Sequence, residues 1–175
     1  EPEQLAAGLA ALSGKRVQFD SANSNGWAAQ QLTDAGALLI EAANPTLLPK
    51  AAKNATEIAG MKACHIRDGV AISKFLAGVD NQVACGHLLD EAALSDQLWQ
   101  FRQQDPSCRD VSFDTISASA GNAAMCHYNH IDQPQPGKLQ MDTVYLVDSG
   151  GQYPDGTTDI TRTIAIGNPG DEVKQ

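Results

Sequence analysis

Aromatic residues make up only 5% of the chain, and 12 Lys and Arg face 21 Asp and Glu, for a formal net charge of −9. So few cations exclude a nucleic-acid interface, which needs a basic face to meet phosphates. No apolar run approaches the ~20 residues of a membrane-spanning helix, and the first residues show no signal-peptide pattern. The sequence opens on Glu1 rather than Met, so the expectation is that something upstream has been removed. Cys64, Cys85, Cys108 and Cys126 form no C-x-x-C pair. They are too sparse for a disulfide framework and predict reduced, mostly buried and inert thiols in a cytoplasmic protein. What is present is enough hydrophobic residue, 42% of 175 residues, to build a core.

The first 50 residues resemble the tail of an α/β unit. Leu5, Leu9 and Leu12 fall at helical spacing, with Gly14 able to cap the turn. A strand is predicted over 16–20, a helix over 27–33 ended by Gly36, and a strand over 37–40. The two prolines of 44–49 suit a connection between domains. Asn54 with Glu57 three residues on predicts a capped helix running to about Val79. Its apolar face would carry Ile66, Val70, Phe75, Leu76 and Val79, with Lys62, Arg67, Asp68 and Lys74 on the polar side. Asp90 is a good N-cap for a second helix with Leu94, Leu98 and Phe101 in one stripe, stopped by Asp105-Pro106. Strands are predicted at 113–119, 144–147 and 157–166. Helices followed by an antiparallel sheet make this second region α+β.

Chemistry concentrates between Val144 and Thr163. Asp148 ends an apolar strand and Asp159 sits within the next, with a Gly- and Pro-bearing turn between. Either aspartate alone reads as a turn residue. Together, in β-prone surroundings that disfavour Asp, they predict buried carboxylates that raise each other's pKa unless a cation compensates them. Oxygen ligands favour Mn²⁺, Mg²⁺ or Co²⁺. A zinc cluster of Cys126, His127 and His130 is disfavoured, because a fourth ligand is lacking and the spacing matches no standard motif.

The run Asp148-Ser-Gly-Gly-Gln-Tyr153, continued by Asp155-Gly-Thr-Thr-Asp159-Ile-Thr-Arg-Thr163, is similar to the signature of the aminopeptidase P branch of the pita-bread metallopeptidases. Ser112 to Ile116, Asn122 to Tyr128 and Lys53 to Met61 extend the resemblance, which covers about residues 49–175. It implies an α+β fold, the first half of a pita-bread catalytic domain over 49–175, preceded by the end of a creatinase-like non-catalytic α/β domain over 1–48. It further implies that Asp148 binds one metal and Asp159 bridges two, most often Mn²⁺, with Zn²⁺ or Co²⁺ as alternatives. His127 would serve the substrate by hydrogen bonding or proton relay; by itself it reads as a loop histidine. Thr161 is a candidate to hydrogen-bond a ligand carboxylate.

The implied activity is hydrolysis of the Xaa-Pro bond at a peptide's N-terminus by a cytoplasmic homodimer. The family's ligand histidine and two ligand glutamates follow Asp159 far downstream, and no histidine follows it here. The 175 residues are therefore expected to be part of a longer chain and, alone, to bind metal weakly, hydrolyse nothing and be poorly stable. Two other readings stay open: an Xaa-Pro dipeptidase, and a binding module that uses the fold without catalysis.

Overall fold

The structure is a computed structural model that describes residues 4–173. Two compact units meet in sequence at Lys53 and Asn54. In the first, α1 (Leu5–Ala10) leads into β1 (Arg16–Phe19), α2 (Gly26–Asp34) and β2 (Leu38–Glu41). β1 and β2 pair in parallel, Val17 opposite Leu39, so the strand–helix–strand pattern is a βαβ unit. Gly14 and Gly36 end α1 and α2 with φ of +68° and +79°, a conformation that costs glycine little. Leu12 lies in the turn after α1 rather than in the helix. The expected connection at 44–49 contains a short helix, α3 (Leu47–Ala51), with Pro49 in its first turn, where a missing N–H removes no helical bond.

The second unit opens on α4 (Ala55–Ala84), whose start is a full capping box: Asn54 accepts from the Glu57 N–H and Glu57 accepts from the Asn54 N–H. The helix runs well past Val79, and its buried face is not the expected one. Cys64, Asp68, Ala71, Ile72, Phe75 and Val79 are buried, whereas Ile66 and Val70 are 72% and 52% exposed. Asp68, expected on the polar side, is fully buried. Positions 64, 68, 72, 75 and 79 lie on one helical face, and a paired charge can occupy that face where hydrogen bonds satisfy it. The second helix, α5 (Glu91–Arg102), starts at the Asp90 cap as expected. It buries Glu91, Leu94, Leu98 and Arg102.

Beyond α5 come β3 (Asp110–Val111), β4 (Ile116–Ser119), β5 (Thr143–Ser149), β6 (Gly151–Tyr153), β7 (Gly156–Thr157) and β8 (Ile160–Ile166). They form two antiparallel sheets, in orders β3-β6-β7 and β4-β5-β8. The predicted turn between the two aspartates is thus a hairpin, β6–β7. The predicted strand over 157–166 is broken at Thr158 and Asp159. The core lies between the helices and the inner face of β4-β5-β8: Ile72, Phe75 and Val79 meet Leu94 and Leu98, and Tyr145, Val147 and Ile166 close it. On β5, Tyr145, Val147 and Ser149 are buried, while Leu146 and Asp148 alternate to the opposite, partly open face. After β8 only a single 3-10 turn, Asp171–Val173, follows among the described residues.

All four cysteines are free thiols, but only Cys64 is buried; Cys85 and Cys126 are exposed and Cys108 is intermediate. The expectation of mostly buried cysteine is therefore corrected. Cys85 lies at the solvent-facing end of α4 and Cys126 in an exposed loop.

Candidate metal centre

Asp148 stands opposite Ile116 on one side and Thr161 on the other. The Thr161 hydroxyl donates to its Oδ1 at 2.8 Å, which fixes the carboxylate's rotation and leaves Oδ2 clear. Asp159 lies one residue before β8, outside the β5–β8 ladder, which ends at the Ser149–Ile160 pair. Ile160 packs against the core, and Asp159 and Thr161 flank it as exposed residues. The period-two alternation of extended chain therefore carries Asp159 toward the face that bears Asp148 and Thr161. The expectation of carboxylates buried in a sheet interior is corrected: Asp148 is half-buried and Asp159 exposed, because this face of the sheet is not the one the helices cover.

A cavity of about 300 Å³ opens on that face and joins Asp148 and Thr161 to Ile116, Ala118, Leu146 and the loop Ala123 to His127. His127 is exposed at its rim, in the left-handed region with φ of 54°. Such a backbone is uncommon for histidine and recurs at functional positions. Asp148, Thr161 and His127 are thus brought together in one cavity, while Asp159 is not among its lining. His130 is buried and lines a different, larger cavity of about 530 Å³ between α5, β3 and the 130–136 loop. His127 and His130 therefore line different cavities. The larger cavity contains neither Asp148 nor Asp159; its own polar lining includes Asp96, Asp110, Asp114 and His130.

Among the described residues Asp159 makes no hydrogen bond or ion pair. Asp159 is thus an exposed carboxylate with no protein partner and Asp148 engages one oxygen only, so both keep oxygens of the kind that hard divalent cations take. No group of three or more His, Cys, Asp and Glu is gathered around one point among the described residues.

Two buried polar networks, neither apparent from the sequence, hold this region. In the first, Arg102 donates from Nε to Asp68 Oδ1 at 2.6 Å and from Nη1 to Ser149 Oγ at 2.5 Å. Tyr153 and Thr158 hydroxyls donate to the same Asp68 carboxylate at 3.0 and 2.9 Å. Burial and the nearby Asp68 charge push the Tyr153 phenol far above its ordinary pKa, so it remains a donor. Three glycines mark how closely the β6–β7 hairpin is seated: a Cβ on Gly60 would strike the Asp155 carbonyl, on Gly156 the Cys64 sulfur, and on Gly150 the Thr158 carbonyl. In the second network Glu91 accepts from Ser119 N, Asn122 Nδ2, Tyr128 Oη and Gly137 N, at 2.6 to 2.8 Å. Burial alone would raise its pKa, but these bonds outweigh it and hold the carboxyl below its usual range. Burial and the bond to Glu91 push the Tyr128 hydroxyl up to about 12. The signal missed in the sequence was a charged residue on an apolar stripe: Asp68 in line with Cys64 and Ile72, and Glu91 and Arg102 in line with Leu94 and Leu98.

Helices cover one face of the antiparallel β4-β5-β8 sheet, and Asp148 and Thr161 stand on the other beside an open cavity. Residues 59–175 match the metallopeptidase family M24, and the chain belongs to that family. A probable Xaa-Pro aminopeptidase P of Chaetomium globosum is 41% identical over 157 residues, 87% of this chain and 24% of that protein. The chain thus spans about a quarter of that relative's length. Among solved structures, an X-prolyl aminopeptidase from Caenorhabditis elegans, described as a cytosolic enzyme with a di-nuclear active site, superposes with a TM-score of 0.72 at 24% identity, covering 90% of this chain and 33% of that one. The prolidase from Pyrococcus horikoshii gives 0.70 at 21%, covering 97% and 46%. At these identities the likeness is one of fold.

Proposed function

We propose that the protein to which this chain belongs is a metallo-aminopeptidase that cleaves the Xaa-Pro bond at the N-terminus of peptides, with Asp148 and Asp159 as ligands in a two-metal centre. The observation that carries the proposal is the Asp148 carboxylate, which lines an open cavity with one oxygen held by Thr161, while Asp159 stands two residues before Thr161 with no protein partner among the described residues. The M24 membership and the name of the Chaetomium relative support it. Divalent cations bound there would supply Lewis-acid polarisation of a carbonyl and of water; Mn²⁺ is proposed, with Zn²⁺ and Co²⁺ as the alternatives to test. Asp148 and Asp159 hold the charge, Thr161 orients Asp148, and His127 at the rim hydrogen-bonds the peptide or relays a proton. The domain assignment follows the same reading: residues 1–48 close a non-catalytic domain and 49–175 open the catalytic one, in a cytoplasmic homodimer.

An Xaa-Pro dipeptidase is the second reading: Asp148, Asp159 and His127 would serve either substrate, and a solved prolidase shares the fold. The test is release of the first residue from Xaa-Pro-Xaa and from Xaa-Pro by the full-length protein with Mn²⁺. Cleavage of the tripeptide, lost in Asp148→Asn and Asp159→Asn, is the expected result. Cleavage of the dipeptide alone would replace the first reading by the second, and cleavage of neither would overturn both.

A further inference from the structure

The two aspartates share a support that the metal assignment does not include. Ser149 follows Asp148 and Thr158 precedes Asp159, and both neighbours are fully buried. In extended chain successive side chains point to opposite faces, so a residue fixed inward sends its neighbour outward. Ser149 is fixed inward by Arg102 Nη1 at 2.5 Å and by Thr115 Oγ1 at 2.6 Å. Thr158 is fixed inward by its hydroxyl, which donates to Asp68 Oδ2 at 2.9 Å and accepts from Gly151 N at 2.8 Å. Asp68 and Arg102 are themselves an ion pair, joined at 2.6 Å with neither side chain exposed. One pair, contributed by the two helices, therefore reaches the residue beside each aspartate.

The need is greater at Asp159. The β5–β8 ladder stops at Ile160, so sheet pairing does not hold Asp159. What holds it is Thr158, whose N–H donates to the Gly151 carbonyl at 3.0 Å and whose carbonyl accepts from Ser112 Oγ at 2.8 Å. The connection between the aspartates is fastened again at its tip. Arg67, next to Asp68 on α4, donates to Asp155 at 2.5 Å, pairs with Asp105 at 3.1 Å, and lies over the Tyr153 ring at 5.3 Å.

We propose that the buried Asp68–Arg102 pair is a positioning device that sets the spacing of Asp148 and Asp159 and so tunes divalent-metal affinity. The proposal rests on the reading of these aspartates as ligands. Asp68 and Arg102 act through Ser149 and Thr158; neither touches the metal. A cation held by both carboxylates would tolerate little change in their separation, and groups that orient metal ligands commonly alter affinity by about 10- to 100-fold.

The experiment measures Mn²⁺ affinity of the metal-free full-length protein by calorimetry, and the visible absorption of its Co²⁺ form, with thermal midpoints recorded alongside. Arg102→Lys keeps the charge and loses the fork; Asp68→Asn keeps the shape and loses the charge. Both are expected to bind Mn²⁺ at least tenfold more weakly and to shift the Co²⁺ bands. Leu98→Ala, a core truncation outside the network, is expected to lower the midpoint without moving affinity more than twofold. Ser149→Ala and Thr158→Val cut one link each and are expected to weaken Mn²⁺ binding about fivefold. Should Arg102→Lys or Asp68→Asn fail to fold, these two decide the matter. Affinity within twofold of wild type in all the folded network variants, or a fall matched by Leu98→Ala, overturns the proposal. Asp148→Asn and Asp159→Asn separate the two levels. If they abolish binding while the network variants do not, only the positioning role fails. If they leave binding intact, the ligand reading fails and the positioning role with it.

Discussion

Replacing Glu91 by Gln tests whether a buried carboxylate organises the loop that carries His127. The substitution preserves size and removes one acceptor oxygen. Glu91 Oε1 accepts from Ser119 N and Asn122 Nδ2, and Oε2 from Tyr128 Oη and Gly137 N. The amide oxygen of Gln can take over only one pair. Facing Ser119 and Asn122 is the better choice, because the amide NH₂ then meets Tyr128, whose hydroxyl can turn to accept, and a single clashing donor, the Gly137 N–H. An unsatisfied buried N–H costs about 1–3 kcal/mol, and charge assistance is lost from the remaining bonds. The expected loss is therefore about 3 kcal/mol, or on the order of 100-fold faster exchange of the Ser119 and Gly137 amides.

Hydrogen exchange of peptides spanning 117–137 in the full-length protein, with denaturant unfolding, measures this loss. The pH dependence has a definite sign. The folded carboxyl is held below its ordinary value, so its stabilisation is fully present above the unfolded pKa of ~4.3. It is lost as pH falls through the folded pKa. Wild type and Glu91→Gln should differ at pH 7 and down to about pH 5, and the difference should shrink as pH falls through the depressed folded pKa of Glu91. A stability difference under about 0.5 kcal/mol at pH 7, with both amides protected as before, would refute the reasoning.

Gly150→Ala places a Cβ against the Thr158 carbonyl and the Ser112 hydroxyl, and neither can withdraw without releasing the hairpin. A loss of about 3 kcal/mol in denaturant unfolding is expected; a loss below 1 kcal/mol would show that the hairpin is seated more loosely. Thiol labelling of the native protein at neutral pH should modify Cys85 and Cys126 quickly and Cys64 only after unfolding, because burial and the Asp155 charge push the Cys64 thiol up. Mass spectrometry of timed digests would reveal early Cys64 modification if that placement is wrong.

The helix starts were legible because a cap is local chemistry. Asn54 with Glu57, and Asp90, needed nothing beyond their neighbours in sequence, and the structure places caps at both. The break at Thr158 and Asp159 was hidden because a β-prone run looks the same whether or not a ladder accompanies it, and here the ladder's end is set by where β5 stops. The buried face of α4 was misjudged for a related reason. Ile66 and Val70 make as good an apolar stripe as the true one, and the choice was made by Asp68, a residue that reads as surface until Arg102, Ser149 and Thr158 are brought to it from distant parts of the chain. Such a pair costs several kcal/mol in desolvation, and apolar residues of equal volume would often be as stable. Its value therefore has to be sought in what it holds in place. The aspartates could be picked out by their pattern, but their geometry could not, since each side chain's direction is set by the inward neighbour that this ion pair grips.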